Sequence, residues 1–309
     1  MSSLIELAAK RLEQLRQAGA EMPAVPVTPT VPQVTARNET ADAKKSVAAT
    51  SQRIEIDLKA MAATGLISPD APRSHIADQY RVIKRPLIKN AMGKGASILA
   101  HGNLIMVTSA LPGEGKSFTS INLAMSIAAE LDNTVMLVDA DVARPSVMRM
   151  LGLNQSAGLL DLVVDSTLDL SSVLLKTNVD KLTILPSGTA HPRATELLAS
   201  DAMVNLLEDM AARYSDRIIV FDSPPLLITT EARVLATHMG QLVVVVSAGK
   251  TLQSDVRQAV ATIESCPVKM LLFNGSNSLF KGGYGYGYGY GYGYGDQKAQ
   301  PDANANAST

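Results

Sequence analysis

Ala110-Leu111-Pro112-Gly113-Glu114-Gly115-Lys116-Ser117 sets the architecture of this chain. It fits the phosphate-binding loop pattern G-x-x-x-x-G-K-[ST], with Ala110 in place of the first glycine. The pattern has meaning only between a buried strand and a helix, and both flank it. Leu104-Ile105-Met106-Val107 is a continuous apolar run, as a parallel strand covered on both faces requires. After the loop, Ile121, Ala124, Ala128 and Leu131 recur at helical spacing. Gly113 and Gly115 let backbone N–H groups close on phosphate oxygens without a Cβ in the way. The helix N-terminus adds partial positive charge. Lys116 neutralises the β/γ-phosphates, and the Ser117 hydroxyl is placed to ligate Mg²⁺. A plain glycine-rich turn leaves Lys-Ser at the helix entrance unexplained.

Outward from the loop, strands and helices alternate from residue 103 to about 275. Strands are expected at Thr134–Val138, Leu182–Leu185, Ile218–Phe221, Leu242–Val246 and Met270–Phe273. This alternation predicts βαβ units and a parallel sheet with the site at its carboxyl ends. Two of these strands run into aspartate: Val135–Val138 into Asp139-Ala140-Asp141, and Ile218–Phe221 into Asp222. A single such aspartate reads as a helix cap. Three at strand ends beside a phosphate loop favour metal and nucleophile handling. Phosphoryl transfer needs mainly positioning and charge neutralisation. A phenol of pKa ~10 is a poor nucleophile at neutral pH, so a carboxylate accepting its proton would help, and Asp141 is the candidate.

The flanks differ in character. Residues 3–18 place Leu4, Ala8, Leu12 and Leu15 on one helical face, opposite charge. Such a short helix needs a surface to dock on, either its own domain or a partner. Pro23, Pro26, Pro29 and Pro32 then mark an extended linker to about residue 52. Two helical stretches follow, around Leu58–Met61 and from Ile76 to Asn90, the second with Asp78, Arg81 and Lys84 three apart on one side. Beyond Phe280, Tyr284, Tyr286, Tyr288, Tyr290, Tyr292 and Tyr294 alternate with glycine and hold six of the chain's 8 tyrosines. Alternating Tyr-Gly suits a strand in principle, but glycine at every second place makes ordering costly, so a disordered tail is expected.

In 309 residues, 46% are hydrophobic, enough for a sizeable core, and a net charge of −1 gives no reason to expect nucleic acid. The lone Cys266 excludes a disulfide framework and suits a reducing cytosol. No apolar run approaches the roughly 20 residues of a membrane span, and Glu6, Lys10 and Arg11 interrupt any signal-peptide core. A soluble, cytoplasmic protein is the expectation, and work at a membrane would need a partner to hold it there.

The phosphate loop, Leu-Val-Asp139-Ala-Asp141 with Arg144-Pro145, Phe-Asp222-Ser-Pro224-Pro225 and the tyrosine tail together resemble the bacterial tyrosine kinases over residues 76–295. The run Asp-Gln-Tyr-Arg-Val-Ile-Lys-Arg-Pro-Leu at 78–87, with the N-terminal helix, looks most like the exosortase-associated tyrosine autokinases of exopolysaccharide biosynthesis. The resemblance implies an α/β, P-loop NTPase-like parallel sheet flanked by helices, with a helical N-terminal extension and a disordered Tyr/Gly-rich tail. It divides the chain into a helix at 1–20, a linker at 21–52, a kinase domain at 53–277 with a helical docking segment at 53–100, and a tail at 278–309.

By the same resemblance, Pro112, Gly113, Glu114, Gly115, Lys116, Ser117 and Phe118 cradle ATP, and Asn274 contacts the base. Ser117, Asp139, Asp141 and Asp222 hold Mg²⁺, Asp222 through water. Lys116, Asp139 and Asp141 are catalytic, and the tail tyrosines are the autophosphorylation sites. Asp78, Arg81 and Lys84, the first and last matching in charge alone, map to a Glu-x-x-Arg-x-x-Arg motif that assembles a homo-oligomeric ring. The implied partners are a transmembrane polysaccharide co-polymerase (the chain-length determinant), acting as activator, and a cognate tyrosine phosphatase. The chain departs from the family at Ala143, where many members carry arginine, and at Asn274-Gly275, usually Asn-Lys. Two rivals remain: a nucleotide-gated scaffold with vestigial chemistry, and a chromosome-partitioning or division-site ATPase switch. The switch carries a second lysine five residues before the invariant one, where this chain has Leu111.

Overall fold

The computed structural model describes residues 51–69, 74–214 and 216–276. The helix expected at 1–20, nearly all of the linker and the tyrosine tail lie outside them. Seven strands form one sheet in the order β3-β4-β2-β5-β1-β6-β7. They are β1 (Leu104–Ser109), β2 (Thr134–Asp139), β3 (Leu175–Lys176), β4 (Leu182–Leu185), β5 (Arg217–Asp222), β6 (Gln241–Ser247) and β7 (Val268–Asn274). Every pairing is parallel except β3 with β4. That two-residue antiparallel edge was invisible to the alternation rule, because its ladder closes within one short hairpin and needs no crossover helix.

Ten helices are described: α1 (Leu58–Ala63), α2 (His75–Ala91), α3 (Lys116–Ala128), α4 (Val147–Met150), α5 (Leu159–Val164), α6 (Leu170–Val173), α7 (Ala194–Leu198), α8 (Asp201–Arg213), α9 (Glu231–Ala236) and α10 (Gln253–Ala261). Successive strand residues feed opposite layers. Ile105, Val107, Val135, Leu137, Val243 and Val245 pack with α1 to α4. Leu104, Met106, Met136, Val138, Leu242 and Val244 pack on the other face with α5 to α10. Burial on both faces is why these strands read as unbroken apolar runs instead of alternating.

The segment before β1 is stitched to the sheet. Gln52 accepts from the Lys176 N–H at 2.9 Å, so the docked chain already begins inside the stretch read as linker. Asn178 brackets Ile56, accepting from its N–H at 2.8 Å and donating to its carbonyl at 3.0 Å. Helix α2 runs through Pro86, which forfeits a bond to the Val82 carbonyl. Val82 is 74% exposed, so that side of the helix faces water.

Asp78, Arg81 and Lys84 do not share a side of α2. Three-residue steps slip by about 60° each at 3.6 residues per turn, so Lys84 lies about 120° around from Asp78. Asp78 and Arg81 are exposed and form an ion pair at 2.6 Å. Lys84 is buried, donating to the Ser126 carbonyl and pairing with Glu130 at 2.7 Å. It fastens α2 to the end of α3, the helix that the phosphate loop starts. No helix among the described residues is long and apolar enough to cross a membrane.

Candidate active site

Strand order builds the site. β5 lies between β1 and β2, so the carboxyl ends of all three are neighbours. Asp222 is in register with Asp139 on one side and Val107 on the other. The turn after β5 is tied to β1: Ser223 N–H donates to the Val107 carbonyl at 3.1 Å, Leu226 N–H to that of Ser109 at 2.8 Å, and Thr108 Oγ1 to that of Pro224 at 2.8 Å. The two aspartates therefore meet beneath the phosphate loop, which leaves β1.

The loop holds its shape through glycine and one buried acid. Gly113 has φ +79° and Gly115 φ +94°, and Gly115 caps α3. Both conformations are ones that side chains with a Cβ resist. Glu114 is buried; Oε2 accepts from the Leu111 N–H at 2.8 Å, and Oε1 accepts from the Thr251 hydroxyl after β6. The Asn274 side chain, at the end of β7, donates to the Glu114 carbonyl at 3.0 Å. A Cβ on Gly115 would come within 2.1 Å of Asn274 Nδ2. Glu114 and Asn274, expected as nucleotide contacts, are thus placed as braces of the loop. Phe118, expected as a nucleotide contact, lines a groove between α2 and β7.

Lys116 Nζ pairs with Asp141 Oδ2 at 2.8 Å, with side chains 14% and 6% exposed. Asp139 Oδ2 accepts from the N–H groups of Ser146 (3.1 Å) and Val147 (3.0 Å). Ser146 Oγ donates to Ser117 Oγ at 2.7 Å, and Ser120 Oγ donates to Asp222 Oδ1 at 3.0 Å. Asp139 Oδ1 and Asp222 Oδ2 are buried and have no partner. Burial, then the charge of Asp222, pushes the Asp139 carboxyl up to about 7. Burial pushes Asp222 up to about 6 against the pull of Lys116. Two apposed buried carboxyls with orphaned oxygens are costly unless a proton or a cation lies between them.

That donor set fits Mg²⁺. Among the described residues no three His, Cys, Asp or Glu side chains are spaced to hold an ion by themselves, so Mg²⁺ here would take the rest of its shell from water and substrate phosphates. Ser117, Asp139, Asp141 and Asp222 supply hard oxygen around the loop. Sequence reading missed Thr251, Ser120 and Ser146. Only Ser120 carried a signal: it lies four residues after Lys116, one turn further along the helix that the loop opens. The tail tyrosines lie outside the described residues.

Residues 101–273 match the family model described as ParA: NUBPL iron-transfer P-loop NTPase. The chain is similar to tyrosine-protein kinase YwqD of Bacillus subtilis (strain 168), 32% identical over 212 residues covering 68% of this chain and 85% of that protein. It is 34% identical over 171 residues to tyrosine-protein kinase ptk of Acinetobacter johnsonii, covering 55% of this chain but 23% of that much longer protein. Among solved structures, the chimerical protein CapA2B2 superposes with a TM-score of 0.57 at 25% identity, covering 72% of this chain and 93% of that one.

Proposed function

From the premise that the chain belongs to the bacterial tyrosine-protein kinases, built on a ParA-type P-loop NTPase domain, we propose that it transfers the γ-phosphate of ATP to the tyrosines of its own C-terminal tail. The observation that carries this reading is the convergence of Lys116 and Asp141 with the orphaned oxygens of Asp139 and Asp222 at the ends of β1, β2 and β5. A bound Mg²⁺ would neutralise β- and γ-phosphate oxygens there. The loop's N–H groups and the Lys116 ammonium hold those oxygens from the other side. The phosphate competes with Asp141 for Lys116, and a carboxylate relieved of its ammonium is free to accept the phenol proton. The Tyr Oη–P bond then forms as the bond from phosphorus to ADP breaks, and the proton passes to Asp141.

Transfer is read as occurring between subunits. About 15 residues separate Asn274 from the middle tyrosines, a mean span of roughly 20–24 Å for a glycine-rich coil, enough to reach a neighbour. Six phosphates at about −1.5 to −2 charges each would give the tail roughly −9 to −12. Such tails repel one another and the acidic site, so phosphorylation would loosen a ring by degrees. The activator is a transmembrane polysaccharide co-polymerase that holds the chain at the inner membrane, a tyrosine phosphatase resets the tail, and the process served is exopolysaccharide chain length and export.

Incubating purified protein with ATP and Mg²⁺, then mapping phosphotyrosine by mass spectrometry, tests the reading. Phosphate on Tyr284 to Tyr294 is the expected result; ATP turnover without phosphotyrosine would leave a P-loop switch.

Assembly is expected to separate the α2 residues. Arg81→Ala should turn an oligomer into monomer by light scattering with little change in melting temperature, because Arg81 is half-exposed. Lys84→Met should lower protomer stability by about 1–3 kcal/mol, since Ser126 on α3 and Glu130 just beyond it lose a buried donor. If Lys84→Met dissociates the oligomer without lowering the melting temperature, Lys84 acts at the subunit contact instead.

A further inference from the structure

β7 ends the sheet, and its outer edge is bare among the described residues. The Asn274 carbonyl accepts from the Ala248 N–H at 2.8 Å, so Asn274 directs its peptide groups toward β6. In a parallel ladder both groups of a residue point the same way and alternate along the strand. Leu271 and Phe273 therefore present N–H and C=O outward. Their side chains are also open, 46% and 66% exposed. Beside this edge lies a groove of about 520 Å³ between α2 and β7, walled by Ile76, Tyr80, Ile83 and Phe118. No charged side chain lines it. A flat apolar edge of this kind is normally blunted by charge, proline, a bulge or a covering element. Here only Lys269, near the start of the strand, does so.

The chain itself leads back to this edge. Gly275, at φ +70°, turns the backbone just past β7, and Ser276, the last described residue, lines the same groove. The 33 residues from 277 to 309 continue from that point (309 less 276). Within them, Tyr284 to Tyr294 alternate strictly with glycine. A strand has period two, so all the rings fall on one face. The seven residues 284–290 equal the length of β7, and the nine residues 275–283, with Gly275, Gly282 and Gly283, are long enough for a reversing connection between them.

We propose that the unmodified tail folds back as an eighth strand, antiparallel to β7, with its tyrosine rings seated in the α2 groove. The glycines make this strand unstable alone, and the waiting edge supplies the backbone partners it lacks. Tyrosine suits the site because its ring is apolar and its hydroxyl reaches water at the rim. Phosphotyrosine does not, because its added charge meets no cation among the lining side chains. The edge thus stores unmodified tyrosines and releases modified ones. The fold-back stands on the β7 edge and the tail pattern alone, whereas release by phosphate rests on the proposed kinase activity.

Amide hydrogen exchange by NMR on phosphatase-treated, nucleotide-free protein tests it. In the full chain the Leu271 and Phe273 amides should exchange at least tenfold more slowly than in a chain ending at Ser276. A full chain with all six tail tyrosines changed to serine should match the truncated one. The Leu272 and Asn274 amides, which face β6, must stay protected in every variant and report that β7 is intact. Equal exchange at Leu271 and Phe273 in full and truncated chains overturns the proposal. Loss of protection on tenfold dilution overturns the fold-back in favour of a second copy's tail.

Discussion

Lys116→Met is expected to reduce tail phosphorylation by about 10³-fold or more. In the proposed reaction the Lys116 ammonium is the cation that the loop sets against the transferring phosphate, and removing a single preorganised donor of this kind costs about 10² to 10³ in rate. Loss of the charge also weakens the bound ground state, so the fall in kcat/KM should exceed that in kcat. The substitution leaves Asp141 buried without its 2.8 Å partner, and a widowed charge of this kind destabilises the folded protein. A lowered melting temperature with retained circular dichroism would separate that effect from unfolding at the assay temperature. Phosphotyrosine formation within tenfold of wild type would remove Lys116 from the reaction.

The second large effect belongs to Asp141→Asn, with an expected rate loss of about 10² to 10⁴, the usual contribution of a positioned general base. Asparagine keeps the size and still offers an oxygen to the Arg144 N–H, which Asp141 accepts at 3.2 Å. It withdraws the carboxylate that competes with phosphate for Lys116. ATP should consequently bind as tightly as before or more tightly while turnover collapses. Calorimetry with a non-hydrolysable ATP analogue, set beside single-turnover phosphorylation, reads the two quantities separately. Wild-type turnover would refute proton transfer to Asp141. ATP binding weakened in proportion to the rate would instead make Asp141 a residue that only positions Lys116.

Much of this site was legible in the chain because it is local. The phosphate loop needs glycine at Gly113 and Gly115, where φ is positive, and a Lys-Ser pair entering a helix. These requirements act within eight residues and leave a spelling in the sequence. The apolar runs of β1, β2 and β5 and the aspartates that end two of them are equally local, and each strand stands where those runs predict. What could not be read was which strands are neighbours. Asp139 and Asp222 are 83 residues apart (222 less 139), and only the insertion of β5 between β1 and β2 places their carboxyls side by side.

The same holds for residues whose role depends on what packs above them. Asn274 spells like a base contact, yet the approach of β7 to the loop turns its amide onto the Glu114 carbonyl. Lys84 spells like part of a surface stripe, yet the rotation of α2 against α3 buries it on Ser126 and Glu130. Backbone dihedrals, side-chain period and loop chemistry are set by a residue and its near neighbours, which is why the phosphate loop, the strand-end carboxylates and the α/β class can be read along the chain. Strand order, helix rotation and the pairing of distant side chains are settled by burying two apolar layers against one sheet at once. That balance is summed over the whole chain and has no spelling in any one stretch of it.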